Sequence, residues 1–165
     1  MTSTRRRRRS PSAPPASIDV AVESRVAQRL VSHVRARDIV RRALRHAGVK
    51  RAMVSVTFVS RQQIAKLNRA HLQKRGATDV ITFAFVPTTA QGPLVADVYI
   101  APDVARANAA AFGVGAREEL VRLLVHAALH AAGLQHPETG DRTQSAMWRK
   151  QERLVRAAAE AGEPR

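Results

Sequence analysis

The chain has no cysteine among its 165 residues, which excludes both a disulfide framework and a thiolate metal site. Any bound ion must therefore be held by imidazole and carboxylate. The same absence fits a reducing compartment, and the expected location is the cytoplasm. No stretch approaches 18 consecutive apolar residues, which excludes a membrane-spanning helix. The opening MTSTRRRRRSPSAPPAS also lacks the apolar core of a secretory signal, and residues 1–17 read instead as a disordered basic arm. Acidic residues are scarce: 13 Asp plus Glu stand against 28 Lys plus Arg, a net charge of +15. Leaving out the five arginines of the arm still leaves +10. Such an excess suits a polyanionic partner, nucleic acid first, through phosphate neutralisation and counterion release, while an Arg- and Ala-rich compositional bias is the competing explanation.

The length suits one domain, placed on residues 18–161. Ile18 to Glu23 alternates as a strand with one buried face. From about Val26 to Ala47 apolar residues recur at helical spacing, and Gly48 is a good stop. Ala52 to Val59 is dense in β-branched residues and reads as a second strand; Ser60 with Gln63 then forms a capping-box start for a helix to about His71. A basic link, Gln73 to Ala77, leads into a third strand, TDVITFAF (Thr78 to Phe85), and Leu94 to Ile100 forms a fourth. Pro102 and Asp103 open a helix that Gly113 closes, and AREELVRLLVHAALHAAG opens the next with Glu118 and Glu119 where the helix dipole favours them. That helix is apolar nearly all round and should lie centrally in the core. A last amphipathic helix runs from about Thr143 to Ala161 and carries Met147, Trp148, Leu154 and Val155. Four strands among five helices predict an α/β or α+β layer arrangement.

Between Leu123 and Ala132 the only polar residues are His126 and His130. Four residues apart on a helix, they stand about 40° apart around the axis and one turn above each other. Gly133 ends the helix, and His136 follows far enough on for the chain to turn back, giving H-x3-H-x5-H. Two readings are open. The three imidazoles hold one zinc ion with a fourth position left for water, the mark of catalytic sites, in which case the ion lowers the pKa of that water toward neutrality. Alternatively they are core histidines with satisfied hydrogen bonds. The peptidase motif H-E-x-x-H carries a Glu after its first His; here that place is Ala127, which disfavours a peptide hydrolase.

The stretch H-A-A-L-H-A-A-G-L-Q-H resembles the H-G-x-L-H-L-x-G-Y-D-H of the YbeY family of bacterial endoribonucleases and ribosomal RNA maturation factors, keeping His126, Leu129, His130, Gly133 and His136. TDVITFAF is similar to that family's T-D-V-L-S-F-P-F, preceded at the same distance by Leu67 and Asn68, and VADVYIAPDVA is similar to its G-D-I-x-I-x-P-x-x-A. The likeness runs in order from about Ile18 to Val155. It implies an α+β domain with a small mixed four-stranded sheet, about five helices, and a central buried helix carrying the metal histidines. It further implies one Zn2+ on His126, His130 and His136, and cleavage of single-stranded RNA in 16S rRNA 3′ end maturation and ribosome quality control. The implied partners are ribosomal RNA, the small ribosomal subunit and its assembly proteins, with no DNA and no membrane. Leu72 stands where the family usually has an arginine, Ala127 and Ala96 where it has glycines, and Gln135 where it has an aspartate. Arg69, Lys74 and Arg75 lie near Leu72 and are the candidate RNA contacts, or else solvated loop charges. Asp97 and Glu138 are candidate helpers in proton transfer, with a sheet-holding role the preferred reading of Asp97. The rival function is a non-catalytic, zinc-stabilised ribosome assembly factor that binds rRNA.

Overall fold

A computed structural model describes residues 15–27, 30–85, 87, 89, 92–137 and 141–162. Period-two alternation sets the sheet. In β1 (Ser17–Ser24) Ile18 and Val20 are buried while Asp19, Ala21 and Glu23 are exposed, and β2 (Arg51–Phe58) buries Ala52, Val54, Val56 and Phe58. After β3 (Val80–Phe85), β4 (Leu94–Ile100) buries Ala96, Val98 and Ile100. Parallel register puts Ile18 beside Ala52 and Val54 beside Ala96, and β3 runs antiparallel along β4 with Ile81 opposite Tyr99. The strand order is β1-β2-β4-β3, a mixed sheet. Parallel neighbours need crossover connections, which α1 (His33–His46) supplies after β1 and α2 (Arg61–Leu72) after β2. Two arginines of α1 reach the edge strand: Arg37 Nε donates to the Val20 carbonyl and Arg41 Nε to the Ile18 carbonyl, both at 3.1 Å. Charged cover of this kind discourages a foreign strand from pairing there.

Beyond the sheet come α3 (Pro102–Phe112), α4 (Ala116–Ala131) and α5 (Ala146–Glu160). The main core joins the buried sheet face to α1 through Ala36, Ile39, Val40, Ala43 and Leu44, and to α4 through Leu120, Leu124, Ala128 and Leu129. As its composition predicts, α4 is the central helix, buried on most of its surface. On the opposite sheet face α2 covers a smaller cluster in which Ile64 meets Val59, Ile81, Ala101 and Val104, with Leu67, Phe83 and Tyr99 around it. The whole is the expected α+β domain with five α-helices. Among the described residues no helix is long and apolar enough to cross a membrane.

Three boundaries differ from the pattern reading, and specific hydrogen bonds lie at each of them. The first helix starts at His33, not near Val26, since Ser32 caps it by accepting from Arg35 N, while Arg25 N donates to Phe58 O at 2.8 Å and holds the chain leaving β1 against β2. The third strand starts at Val80; just before it the Asp79 carbonyl accepts from Ala101 N, and its carboxylate accepts from Asn108 Nδ2 at 3.0 Å. The last helix starts at Ala146, where Ser145 accepts from Trp148 N at 3.0 Å; the preceding Arg142–Gln144 forms one 3-10 turn against the Asp141 carboxylate. The capping box at Ser60 and Gln63 is present as read. Residues 1–14 of the arginine arm lie outside the described residues, and Ser17, assigned to that arm, already belongs to β1.

Candidate metal centre

The apolar run of α4 fixes the helix against the sheet, so the two histidines placed one turn apart on it share an edge of the helix. The end of α4 is then reversed by a glycine. Gly133 has φ 86, Gly133 N donates to His130 O at 2.9 Å, and Leu134 N donates to Leu129 O at 3.0 Å, the paired bonds of a Schellman ending. A side chain with a Cβ is disfavoured at that φ. The reversal returns the chain so that His136 joins His126 and His130. Ring centroids are 4.5 Å apart for His126 and His130, 5.4 Å for His126 and His136, and 4.9 Å for His130 and His136. One nitrogen from each ring lies within 4.8 Å of the other two, and all three rings are partly buried.

The donor set suits zinc, which takes imidazole nitrogens at about 2.0–2.1 Å in three-ligand sites. In His126 and His136 the Nδ1 nitrogen is engaged by an oxygen. Gln151 Oε1 accepts from His126 Nδ1 at 2.8 Å, and the Pro137 carbonyl accepts from His136 Nδ1 at 3.1 Å. Such bonds leave Nε2 as the nitrogen turned to a shared ion. Gln151 was not singled out from the sequence. The signal was there in its place on the buried line of α5, Met147, Gln151, Val155 and Ala158, where an amide among apolar residues needs a partner.

Behind Gln151 lies an ionic cluster that ties α5 to α4. Arg122 Nε donates to Glu152 Oε1 at 3.0 Å, Nη1 to Glu119 at 2.8 Å and Nη2 to Glu118 at 2.8 Å. Burial disfavours the Arg122 charge, but hydrogen bonds to Glu152, Glu118 and Glu119 outweigh it and raise its pKa above the ordinary value. Burial likewise pushes Glu152 up, while Arg122 and Gln151 bonding to its carboxylate hold it below its ordinary 4.5 on balance. A depressed carboxylate pKa stabilises the fold above the ordinary value, and that stabilisation is lost as pH falls from 4.5 through the folded value. Thermal unfolding followed from pH 7 down to pH 3 should therefore show a smaller acid-side loss in Glu152→Gln than in the wild type. Parallel curves would show that the pair does not stabilise.

The other candidates fall elsewhere. Arg69 sits near the end of α2 and Lys74 and Arg75 in the link after it, all three exposed; α2 itself covers the sheet face opposite α4. Asn68, buried at the end of the same helix, pins that link by donating from Nδ2 to Gly76 O at 3.0 Å. Asp97 also points to the face away from α4 and accepts from Ser55 Oγ across the β2–β4 pair, which is the sheet-holding role. Glu138 lies outside the described residues. Leu72 is 42% exposed, Gln135 is exposed, and Ala127 and Ala96 are buried in the core without disturbing α4 or β4.

Comparison with known proteins places this arrangement. A family model described as endoribonuclease YbeY matches residues 21–159. The endoribonuclease YbeY of Chlorobium phaeobacteroides (strain BS1) is 28% identical over 128 residues, 78% of this chain and 89% of that one. That of Anaeromyxobacter dehalogenans (strain 2CP-C) is 36% identical over 115 residues, 70% of this chain and 58% of the other. That of Thermosipho melanesiensis is 34% identical over 87 residues, 53% and 60%. The match thus spans less than two thirds of the length of the last two relatives. A Thermotoga maritima protein solved in solution shares the fold, with a TM-score of 0.59 at 24% identity over 88% of this chain and 91% of that one. With a family model matched from residue 21 to residue 159, the chain belongs to the YbeY family.

Proposed function

We propose that the chain is a metal-dependent endoribonuclease, with one zinc ion on His126, His130 and His136, that cleaves single-stranded RNA in maturation of the 16S rRNA 3′ end and in ribosome quality control. The observation that carries this is the convergence of three imidazoles within 4.8 Å on a chain whose family bears the description endoribonuclease. When bound, zinc at such a site supplies Lewis acidity and lowers the pKa of water in its remaining position. The all-imidazole set also admits copper or nickel by the usual affinity order. The chain's own residues bind and orient. Net charge of +15 draws the phosphate backbone, and the exposed Arg69, Lys74 and Arg75 are proposed to hold the strand. The proposed setting is the cytoplasm, with ribosomal RNA, the small subunit and its assembly proteins as partners, and RNA rather than DNA as the nucleic acid.

A second reading, a non-catalytic assembly factor in which zinc staples the segment after α4, is favoured by one observation. Among the described residues no carboxylate joins the three histidines, and the position before His136 is the exposed amide Gln135. Incubating zinc-loaded protein with ribosomal RNA and with casein separates the readings. The expected result is RNA cut, casein intact, and RNA binding that weakens steeply with added salt. RNA bound but uncut would favour the assembly factor, and cut casein would point to a peptidase.

A further inference from the structure

We propose that Gln151 is a positioning residue that fixes the ring tautomer of His126 for metal ligation, braced by Glu152 and Arg122. The inference rests on the metal-centre reading above and adds to it a residue on a different helix.

The hydrogen-bond directions force the assignment. Gln151 is 2% exposed, so both ends of its amide must be satisfied inside the protein. One neighbour is the Glu152 carboxylate, whose Oε1 lies 3.1 Å from Gln151 Nε2. An ionised carboxylate only accepts, so the NH2 end of the amide faces Glu152. The carbonyl end therefore faces His126 Nδ1, 2.8 Å away. A carbonyl also only accepts, so Nδ1 carries the proton and Nε2 carries the lone pair. Imidazole in water favours the opposite tautomer, with the proton on Nε2, which a cation would first have to displace. Gln151 thus holds His126 ready to ligate before any ion arrives.

The brace is a closed ring across two helices. Arg122 stands one turn before His126 on α4, and Gln151 and Glu152 are neighbours on α5. Arg122 Nε and Nη2 grip Glu152 Oε1 and Oε2 at 3.0 and 3.3 Å, and Glu118 and Glu119 hold the same guanidinium from its own helix. Glu152 is thereby fixed as the acceptor that orients the Gln151 amide. Packing alone does not explain an amide here, because Met147 and Val155, which flank it on the same buried line, are apolar.

The test is nitrogen-15 NMR of the His126 ring in metal-free protein, at a pH where imidazole is neutral, with zinc titration of the same samples. Wild type should show the Nδ1-protonated form. In Gln151→Met, which keeps the shape and apolar fit of the side chain, the Nε2-protonated form should dominate, and zinc affinity should fall roughly 10- to 100-fold. A wild-type His126 protonated on Nε2 overturns the proposal whatever the variant does. Equal tautomers and equal zinc affinity in both proteins overturn it too, while leaving the metal centre standing. If wild type shows the Nδ1-protonated ring yet takes up no zinc, the tautomer assignment holds and the metal-centre reading fails.

Discussion

Replacing His126 with alanine should remove bound zinc and abolish RNA cleavage while leaving the protein folded. The remaining pair, His130 and His136, offers only two imidazoles, and two donors do not make a closed or a catalytic zinc site. Loss of a mere outer partner of a ligand costs 10- to 100-fold in affinity, so loss of the ligand itself should exceed that. The fold should survive because the ring is partly exposed and the core contacts of α4 come from Leu120, Leu124, Ala128 and Leu129. One structural cost is foreseeable: the Gln151 carbonyl loses its donor in a buried place, at about 1–3 kcal/mol. Metal content by elemental analysis, cleavage of ribosomal RNA and circular dichroism on one preparation read the three quantities together. Persistent cleavage by a clean His126→Ala sample would falsify the proposed chemistry.

The second large effect is expected at Leu124, which is fully buried in the middle of α4. Truncation to alanine removes buried methyl groups and leaves a cavity within the main core cluster, to which both α1 and the sheet contribute. Such changes cost about 2–5 kcal/mol. For a chain of this size that lowers the melting temperature by roughly 2–4 °C per kcal/mol. The site adds a second readout, because α4 carries two of the three candidate ligands. An ion that binds only the folded form at a hundred times its dissociation constant restores about 2.7 kcal/mol. Leu124→Ala should therefore melt well below wild type, and zinc should raise the variant toward zinc-free wild type while raising wild type by a similar amount. A variant that melts within 1–2 °C of wild type would show that α4 is not central to the core.

How far such features can be read without coordinates depends on the range of the interaction. The alternation of β1, β2 and β4 and the buried run of α4 are properties of consecutive residues, so they were legible. The histidine trio was legible for the same reason, since its spacing lies within one helix and the turn after it. The start of α1 was not, because Arg25 is held by Phe58, a residue of another strand. Gln151 was missed for a related cause: its partner His126 is 25 residues away on another helix. For Asp97 the preferred sheet-holding role is the observed one, but its partner Ser55, on another strand 42 residues away, was not legible. Family likeness supplied the mixed sheet that alternation left undecided between two layer arrangements.

All three ring donors come from one unbroken stretch, His126 to His136, shaped by a single helix end and the bend at Gly133. Bringing them together closes only a very short loop, so the entropic penalty of gathering the ligands is small and is met as soon as that helix end forms. His126 and His130 sit on the helix proper and His136 beyond the bend, so loosening the bend would release His136 alone. An ion held there would gain or lose its third ligand through that short segment, with no need for the domain to unfold.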